Sequence, residues 1–573
     1  MKRISEIRFL AFSVTIGVLA ACGALLFRLL VIFFQQLFWG PGVTFQQRVV
    51  DTPWWLMLLV PVAGSLIAGP MITFLVPEAR GPGVPEVIAS VVRQRPIRRR
   101  VTFLKALVSS LLIGSGASVG REGPIVQIGA AIGSAISGFF GLSPEKGRVC
   151  LACGAAAGIA ATFNAPIAGT LFAVEIILLD VEIGYISHIV VASVVASVIS
   201  RLLQGDFPTF RVGEFGFSHY GELGIYLVLG LLAGLCAILF VRMIYATDTL
   251  FARLAMPEWL KPALGGLLLG LLALRLPMVL GVGYDSINLS LNGEMVFSAA
   301  AAMLAAKILA TSLCIGSGMS GGIFAPSLVV GSSLGTLVGV VSALLFPHLG
   351  LQATDYALVG MGAIVAGTTL APITAILTIF ELTYSNRIIL PLMVACIAAV
   401  TLVRLLFGYS AYELKLLRRG INIVRGHDIS VLRALRLQTI MNREFDTMLH
   451  STSLEEAVNE TLASPYPHYV VLDGKGGLAG VLSLRDLRFC LTLFDDLKDI
   501  VLVADLMTRE VITVSAGDNL ETAFALFEEN RISFLPVVDE ADQGKVVGIL
   551  KKDDLLQAYR ERVLMDRSLS CRL

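Results

Sequence analysis

Residues 113–124 read IGSGASVGREGP, and residues 315–326 read IGSGMSGGIFAP. These two stretches are the centre of a gap-free match in which residues 105–133 align with residues 307–335 and 13 of 29 positions are identical. An identity this high over one continuous stretch indicates that a segment of the chain is duplicated. The sequence therefore predicts two equivalent halves, and repeated halves of membrane proteins often enclose a binding site at their interface.

A second match follows the first. With nine residues from proline to glutamate in each copy, it pairs Ala165, Pro166 and Glu175 with Ala371, Pro372 and Glu381. Because the two glutamates occupy matched positions, we interpret them as structural residues. The matched lysines, Lys105 and Lys307, are expected to neutralise these glutamates or to set the local potential.

The composition is that of a membrane protein. The 573-residue chain is 56% hydrophobic and 15% charged, with a mean hydropathy of +0.80, whereas a soluble protein has about 25% charged residues. Apolar runs recur from Phe9 to Phe407, and they have the length of about 20 residues that a helix needs to cross a bilayer. After Arg419, charges become frequent and strand-like patterns alternate with helix-like ones. We predict an all-α polytopic membrane domain over residues 1–420 and an α/β soluble region after it.

The distribution of charge predicts the orientation in the membrane. Residues 93–100 form a short loop with five arginines, and such loops stay on the cytoplasmic side. Lys415, Arg418 and Arg419 lie where the chain leaves the membrane domain. The sequence thus predicts an integral protein of the inner or plasma membrane whose N-terminus and soluble region are cytoplasmic. The net charge of +1 gives no indication of nucleic-acid binding.

Glycine and proline interrupt apolar segments at 120–124 and 322–326. Proline favours the first turn of a helix, and glycine lets the preceding backbone bend. We expect each half to contain a helix that begins inside the membrane, where its unpaired N–H groups and positive dipole end attract an anion without basic side chains. The alternative is that the glycines serve only helix packing, which we also expect of Gly129, Gly133, Gly331 and Gly335.

The repeats differ after the matched glycine, where the first half has Arg121, Glu122 and Gly123 and the second has Ile323 and Phe324 followed by alanine. An acidic side chain inside a membrane is costly and is usually functional. Beside an anion site, the Glu122 carboxylate can occupy that site as a tethered anion, and protonation would release it. We interpret Glu122 as a gate, a proton carrier or both. The structural alternative is an ion pair with Arg121.

These motifs resemble those of the CLC family of chloride channels and anion/proton antiporters, over almost the whole membrane domain. Residues 120–124 are similar to the family motif GREGP, residues 322–326 to GxFxP, and residues 81–86 (GPGVPE) to GSGIPE. The resemblance implies a CLC-like inverted repeat, a homodimer with one anion pathway per subunit, and Glu122 as the gating glutamate. It also implies anion-binding positions at Pro82, Gly83, Arg121 and Gly123, at the amides of Ile323 and Phe324, and at Tyr412.

Pro82 departs from the family pattern, which usually has serine there. The substitution removes a hydroxyl donor from the central anion site. In relatives, proline at this position goes with a preference for nitrate over chloride, so nitrate and chloride both remain candidate substrates. The alternative is that Pro82 only shapes the turn.

Ile176 is a second departure from the family pattern. Family antiporters often have a second glutamate just after the position of Glu175, where it admits protons from the cytoplasm, and isoleucine cannot carry a proton. Some antiporters of the family also lack this acid. We therefore expect a channel-like or weakly proton-coupled protein, with an anion/proton antiporter as the alternative.

The C-terminal region contains two copies of one module, at 437–493 and 503–560, after a linker at 421–436. Each copy ends in a Gly-x-Leu segment with an aspartate six residues after the glycine. The copies resemble a tandem pair of CBS domains, which commonly bind ATP, ADP or AMP between them. The resemblance places Asp486 and Asp554 at ribose, and Ser483 and Lys551 near phosphate. The alternatives are that the aspartates only cap helices or that the pair serves dimerisation.

Two other classes of function remain to be weighed. An intramembrane enzyme is disfavoured because the membrane repeats contain no histidine, no HExxH motif and no serine with an adjacent base. A transport-inactive membrane sensor is disfavoured because Glu122 and both glycine-proline segments are intact. We predict no required cofactor and no metal site, and adenine nucleotide as the one candidate ligand of the soluble region.

Overall fold

The structure is a computed structural model, and it describes residues 2–42, 44–93, 95–179, 183–206, 209–210, 216, 219–421, 435–464, 467–490, 498, 500–530, 532–540, 542 and 544–558. The chain forms two compact units, residues 1–423 and 424–573. Most of the predicted linker, 421–436, lies outside the described residues, as do the last residues of both predicted modules.

The first unit is entirely helical in its described part, as predicted. Its helices are α1 Lys2–Trp39, α2 Phe45–Val50, α3 Trp54–Pro70, α4 Val84–Val92, α5 Arg99–Gly114, α6 Glu122–Phe139, α7 Pro144–Phe163, α8 Pro166–Phe172, α9 Ile183–Gln204, α10 Glu222–Arg253, α11 Lys261–Ala273, α12 Tyr284–Leu291, α13 Phe297–Gly316, α14 Phe324–Leu345, α15 Ala353–Thr369, α16 Pro372–Thr383, α17 Ile389–Leu406 and α18 Ala411–Arg418. In the described part of the chain, seven helical stretches are long and apolar enough to cross a membrane.

The duplicated sequence gives duplicated structure. The pair α5–α6 corresponds to α13–α14, and the break between the helices of each pair falls at the matched Gly-x-x-x-Pro segment. Helices α8 and α16 both begin at the matched proline, and α8 continues as a π-helical segment, Ala173–Leu178. The repeat also extends further back than the sequence match. Helices α4 and α12 each follow a Gly-x-Gly turn, at 81–83 and 281–283, in which both glycines have positive φ.

Glycines let neighbouring helices pack at backbone distance in both halves. A Cβ at Gly129 of α6 would lie 2.1 Å from the Gly154 carbonyl oxygen of α7. A Cβ at Gly331 of α14 would lie 2.4 Å from the Gly360 carbonyl oxygen of α15. The predicted packing role of the repeated helix glycines is therefore confirmed.

The second unit contains two copies of a small α/β module. The first has β1 Thr447–Leu449, α19 Leu454–Ala463, β2 His468–Leu472, β3 Leu478–Ser483 and α20 Leu484–Cys490. The second has α21 Val503–Leu506, β4 Val514–Ser515, α22 Leu520–Asn530, β5 Phe534–Val538 and β6 Val546–Lys551. Each sheet has three strands, with one parallel and one antiparallel pairing.

The start of each module pairs with a strand of the other module. Asn442, at the start of the first module, pairs with Ile549 of β6, and Thr508, at the start of the second, pairs with Val481 of β3. Val470, Phe534 and Ile549 form an apolar cluster shared by both copies. Each copy also has an apolar core of its own, and the reciprocal pairing and the shared cluster join the two copies.

Candidate functional site

The two halves of the membrane domain meet directly at the matched glycines. The Gly120 amide donates to the Gly322 carbonyl at 2.7 Å, and the Gly322 amide donates to the Gly120 carbonyl at 2.6 Å. The bridge is antiparallel, and an antiparallel pair of equivalent residues is what a two-fold relation between inverted halves produces. Helices α6 and α14 each begin two residues after this bridge, so their first turns lie close together.

A third extended segment, residues 81–83, pairs with residues 319–321 beside the Gly120–Gly322 bridge. We call these three short segments the strands of the junction. The Gly81 amide donates to Met319 at 3.1 Å, and its carbonyl accepts from Gly321 at 3.3 Å. The φ angles of Gly81 and Gly83 are +78° and +83°, in the region that favours glycine. A Cβ at Gly123 would lie 1.9 Å from the Pro82 carbonyl oxygen. Pro82, Gly83 and Gly123 are therefore brought together, as the family resemblance implied.

Helices α4, α6 and α14 begin beside this junction, and the residue that precedes each of them (Gly83, Arg121 and Ile323) makes no capping hydrogen bond with a side chain of its own. Among the described residues, the amides of Ile323 and Phe324 have no protein acceptor. Both residues are buried. Unpaired buried amides at a helix start attract negative charge. The predicted helix starts inside the membrane domain are confirmed.

The Glu122 carboxylate lies at the start of α14. Its side chain is 2% exposed, and its Oε2 atom accepts from the Ala325 amide at 3.3 Å. A Cβ at Gly120 would lie 2.0 Å from the same oxygen, so the carboxylate lies on the surface of the Gly120–Gly322 bridge. The sequence predicted a carboxylate beside the amides of the second half, but it missed Ala325 as the donor.

Tyr284 is a further contact that the sequence did not indicate. Its hydroxyl is 3.4 Å from Oε1 of Glu122, and the Arg121 guanidinium lies 4.9 Å from the centre of its ring. Arg121 therefore stacks on a tyrosine, and among the described residues no salt bridge of 4.0 Å or less joins it to Glu122, although the two groups interact electrostatically. The sequence did contain one signal for this contact, because the Gly-x-Gly turn at 281–283, which precedes Tyr284, repeats the turn at 81–83. The two turns share too few identical residues for the repeat to be recognised.

Tyr412 is the second residue of α18, and the start of this helix is fixed on several sides. A reciprocal capping box joins Ser410 and Glu413, and the Tyr245 hydroxyl donates to the Ala411 carbonyl. Lys415 donates to the Arg80 carbonyl at 3.0 Å, which ties α18 to the strand at 81–83. The Tyr412 side chain is 3% exposed and interacts electrostatically with Glu122.

One of the two roles predicted for the matched lysines is not found. Lys105 donates to the carbonyls of Ala79 and Gly81 at 2.7 and 3.2 Å. Lys307 donates to the equivalent carbonyls, Val279 and Gly281, at 3.2 and 2.8 Å. The expectation that they neutralise the matched glutamates is wrong, because each ammonium group is used to hold a Gly-x-Gly turn in place.

The matched glutamates cap helices of the opposite half. Glu175 accepts from the Thr374 amide and hydroxyl of α16, both at 2.7 Å. Glu381 accepts from the amides of Ile167 and Ala168 of α8, at 3.0 and 2.6 Å. A carboxylate is the favoured partner of a helix N-terminus. These bonds confirm that both residues are structural.

The comparisons with known proteins show the family. The sequence pattern of the family described as voltage gated chloride channel matches residues 64–404, which include all three strands of the junction. The chain belongs to the voltage-gated chloride channel (CLC) family. It is therefore an anion-transport protein and not an enzyme.

Individual relatives match about two thirds to three quarters of this CLC protein. A putative chloride channel protein, ClcB-like, of Ralstonia nicotianae is 36% identical over 73% of this chain and 98% of that protein. The H(+)/Cl(−) exchange transporter ClcA of Yersinia pestis biovar Antiqua is 34% identical over 64% of this chain and 78% of that protein. The crystal structure of a slow cyanobacterial Cl−/H+ antiporter superposes with a TM-score of 0.67, at 28% identity, over 72% of this chain and 98% of that one.

The C-terminal region of this CLC protein carries a pair of CBS domains, whose pattern matches residues 437–492 and 503–561. Between the two sheets, the rings of His468 and Phe534 stack at 4.8 Å, with 10° between their planes. Burial lowers the pKa of His468, the Lys551 ammonium lowers it further, and the Asp486 carboxylate raises it. The imidazole ring is therefore neutral at pH 7.

The four predicted nucleotide-binding residues lie at the ends of β3 and β6. Asp486 accepts from the Ser483 amide at 2.9 Å and from its hydroxyl at 2.6 Å, which supports the helix-capping interpretation at this position. Lys551 ends β6 and pairs with Phe534, and Asp554 lies three residues further along the chain. The stacked rings were not predicted, because the sequence gives no sign that His468 and Phe534 are neighbours.

Proposed function

We propose that this CLC protein transports small inorganic anions through a pathway gated by Glu122, as a channel or with weak coupling to protons. One observation carries the proposal: the Glu122 carboxylate lies at the start of α14, 3.3 Å from the Ala325 amide, beside the unpaired amides of Ile323 and Phe324. A mobile anion would need the same hydrogen-bond donors.

The proposed gate acts by competition. When ionised, the Glu122 carboxylate occupies the amides of α14 and blocks the pathway. When protonated, it loses the charge that the helix dipole attracts, and an anion replaces it. The Tyr284 hydroxyl, 3.4 Å from the carboxylate, would stabilise the closed position. Tyr412, Pro82 and Gly83 would line the path on the other elements of the junction.

Coupling to protons is the point on which two alternatives differ. Ile176 is 4% exposed and has no titratable group, so protons cannot use this position as they use an acid. This favours a channel-like or weakly coupled protein. The second candidate is a chloride/proton or nitrate/proton antiporter, and it is favoured by the relatives that are named H(+)/Cl(−) exchangers.

Reversal potentials in reconstituted membranes test this proposal. Under a chloride gradient at symmetric pH, and then under an added pH gradient, a channel keeps its reversal potential at the anion equilibrium potential. A coupled antiporter shifts it when the pH gradient is imposed. A complete absence of anion current and of anion flux would contradict the proposed function itself.

The transported anion is chloride, nitrate or both, and Pro82 is the proposed determinant. Proline has no amide or hydroxyl donor, so an anion at this point gains no hydrogen bond from residue 82. Replacing Pro82 with Ser is expected to shift the nitrate-to-chloride permeability ratio toward chloride by about two- to tenfold, because the added hydroxyl can donate to either anion and only part of the about 1.5–3 kcal/mol of a charged hydrogen bond changes the ratio. Bi-ionic reversal potentials measure it, and an unchanged ratio would show that Pro82 only shapes the turn.

The membrane location, the orientation and the oligomeric state are proposed from the distribution of charge and from the family. We infer that the protein lies in the inner or plasma membrane, as a homodimer with a separate anion pathway in each subunit. The five arginines of residues 93–100 support a cytoplasmic location for this loop, and with it for the N-terminus and the CBS pair.

We also propose that ATP, ADP or AMP binds the CBS pair and regulates transport. The neutral His468–Phe534 stack offers an aromatic surface for a base, and Lys551 offers a charge for phosphate. Asp554 is the proposed ribose contact, since Asp486 already accepts from Ser483.

The CBS proposal is tested by thermal unfolding of the full-length protein in detergent. A nucleotide at 100 times its dissociation constant would add about 2.7 kcal/mol to the free energy of unfolding. We expect Asp554→Asn to remove most of the shift in melting temperature, and the neighbouring, exposed Asp553→Asn to keep it. No shift with any adenine nucleotide would leave the pair with a purely structural or dimerising role.

A further inference from the structure

The connection between α4 and α5 is a cluster of positive charge. It contains five arginines between positions 93 and 100, and the side chains of all five are exposed. Two of them are paired already, because the Glu78 carboxylate lies 3.3 Å from Arg98 and 3.9 Å from Arg100. The other three have no acidic partner among the described residues: Arg93, Arg95 and Arg99.

The duplication shows that the helix pair itself does not need this charge. Continued backwards, the match of Lys105 with Lys307 aligns the arginines at 98–100 with residues 300–302, which are all alanine. The connection before α13 contains an acid, Glu294, and no basic residue. Both helices form all the same. The arginines therefore belong to one face of the protein and are not a requirement of the repeated fold.

Hydrogen bonds attach this connection to the helices on either side of it. The Arg95 amide donates to the Ser90 carbonyl of α4 at 3.0 Å. The Ile97 amide donates to the Ser134 hydroxyl of α6 at 2.9 Å. The arginine side chains thus extend from a backbone that is already restricted, so less conformational entropy is lost when they bind a partner.

The residues that follow the arginines on α5 are apolar and exposed. Phe103 is 73% exposed and Leu107 is 37% exposed. Because residues four apart lie on the same side of a helix, Arg99 lies on the side that these two residues expose. At about 1.5 Å per residue, Arg99 and Phe103 are about 6 Å apart along the axis. In a bilayer, Phe103 and Leu107 contact the hydrocarbon, and Arg99 lies one turn closer to the headgroups.

The combination of charge and apolar surface decides which partner fits. A soluble anion would contact the arginines and leave Phe103 and Leu107 without a partner. A phospholipid with an acidic headgroup supplies the phosphate and the acyl chains in one molecule. Basic residues directly beside a membrane helix attract such lipids in the cytoplasmic leaflet.

We propose that this surface binds an anionic phospholipid of the cytoplasmic leaflet. Arg99 contacts the phosphate of the headgroup, Arg93 and Arg95 add positive charge around it, and the acyl chains lie against Phe103 and Leu107. The choice of leaflet rests on the proposed orientation of the protein. The binding itself does not depend on which anion the protein transports.

Native mass spectrometry of the full-length protein in detergent measures this binding. The protein is mixed with equal amounts of phosphatidylglycerol and phosphatidylcholine that have the same acyl chains. We expect the wild type to retain phosphatidylglycerol preferentially. Arg99→Gln should lower this preference about fivefold, which corresponds to about 1 kcal/mol for one basic residue at an anionic lipid surface. Arg99→Lys keeps the charge and should keep most of the preference.

The control is Lys475→Gln, in an exposed turn of the first CBS module, which removes the same charge and should behave like the wild type. Phosphatidylglycerol should also raise the melting temperature of the wild type, whereas glycerol 3-phosphate at the same concentration should not. Equal preference in Arg99→Gln and the wild type, or an equal loss in Lys475→Gln, would overturn the proposal. An equal stabilisation by glycerol 3-phosphate would indicate a site for soluble phosphate and would overturn it as well. None of these measurements involves anion flux, so their failure is distinct from a failure of the proposed transport function.

Discussion

Replacing Glu122 with Gln is expected to make anion flux independent of pH and to abolish proton coupling. Glutamine has nearly the shape of the protonated acid but no charge, so the dipole of α14 no longer holds it against the Ala325 amide. In the wild type, flux should rise as the pH falls, because protonation releases the gate. In the variant, flux at alkaline pH should equal or exceed the acid-pH flux of the wild type.

The measurement is chloride flux from vesicles at several pH values, with proton flux recorded in parallel. Glu294→Gln is the matched control, since this acid lies on an exposed loop, and it should keep the wild-type pH profile. If Glu122→Gln retained the wild-type pH dependence and proton flux, Glu122 would have no part in gating. If only the proton flux persisted, a second acid would have to carry protons.

What could be predicted from the sequence was local. The helix starts at Glu122 and Phe324 follow from glycine and proline at fixed positions in one segment, and the duplication shows that both halves obey the same rule. Residues 81–83 could be placed beside them only through the family resemblance. The charge inside an apolar segment identified Glu122 without any knowledge of its neighbours.

What could not be predicted depends on contacts between distant segments. Tyr284 is separated from Glu122 by 162 residues, and a tyrosine in an apolar chain gives no signal of its own. The matched lysines show the opposite problem: their identity was visible, but their partners are backbone carbonyls, which every residue has. Pairing them with the matched glutamates by charge was reasonable and wrong, because those carboxylates are already used by the amides of α16 and α8.

The packing of the junction predicts the second large effect, for Gly123→Ala. A Cβ at this position would lie 1.9 Å from the Pro82 carbonyl oxygen and 3.1 Å from the Gly322 Cα atom. Both contacts are with backbone, so no side chain can turn away, and all three strands of the junction would have to separate. Overpacking of this kind costs about 1–3 kcal/mol, and here the strain falls on the proposed anion site. We expect a lower melting temperature and at least a tenfold loss of anion flux.

Gly138→Ala separates this effect from the general consequences of adding a methyl group to α6. Gly138 lies in the same helix, and a Cβ there would have no neighbour within 4 Å. Because the added methyl group would meet no other atom, this variant should be about as stable as the wild type, with unchanged flux. If Gly123→Ala kept wild-type stability and flux, the Pro82 carbonyl would not lie in contact with α6. The proposed anion site would then have to be completed by a segment other than residues 81–83.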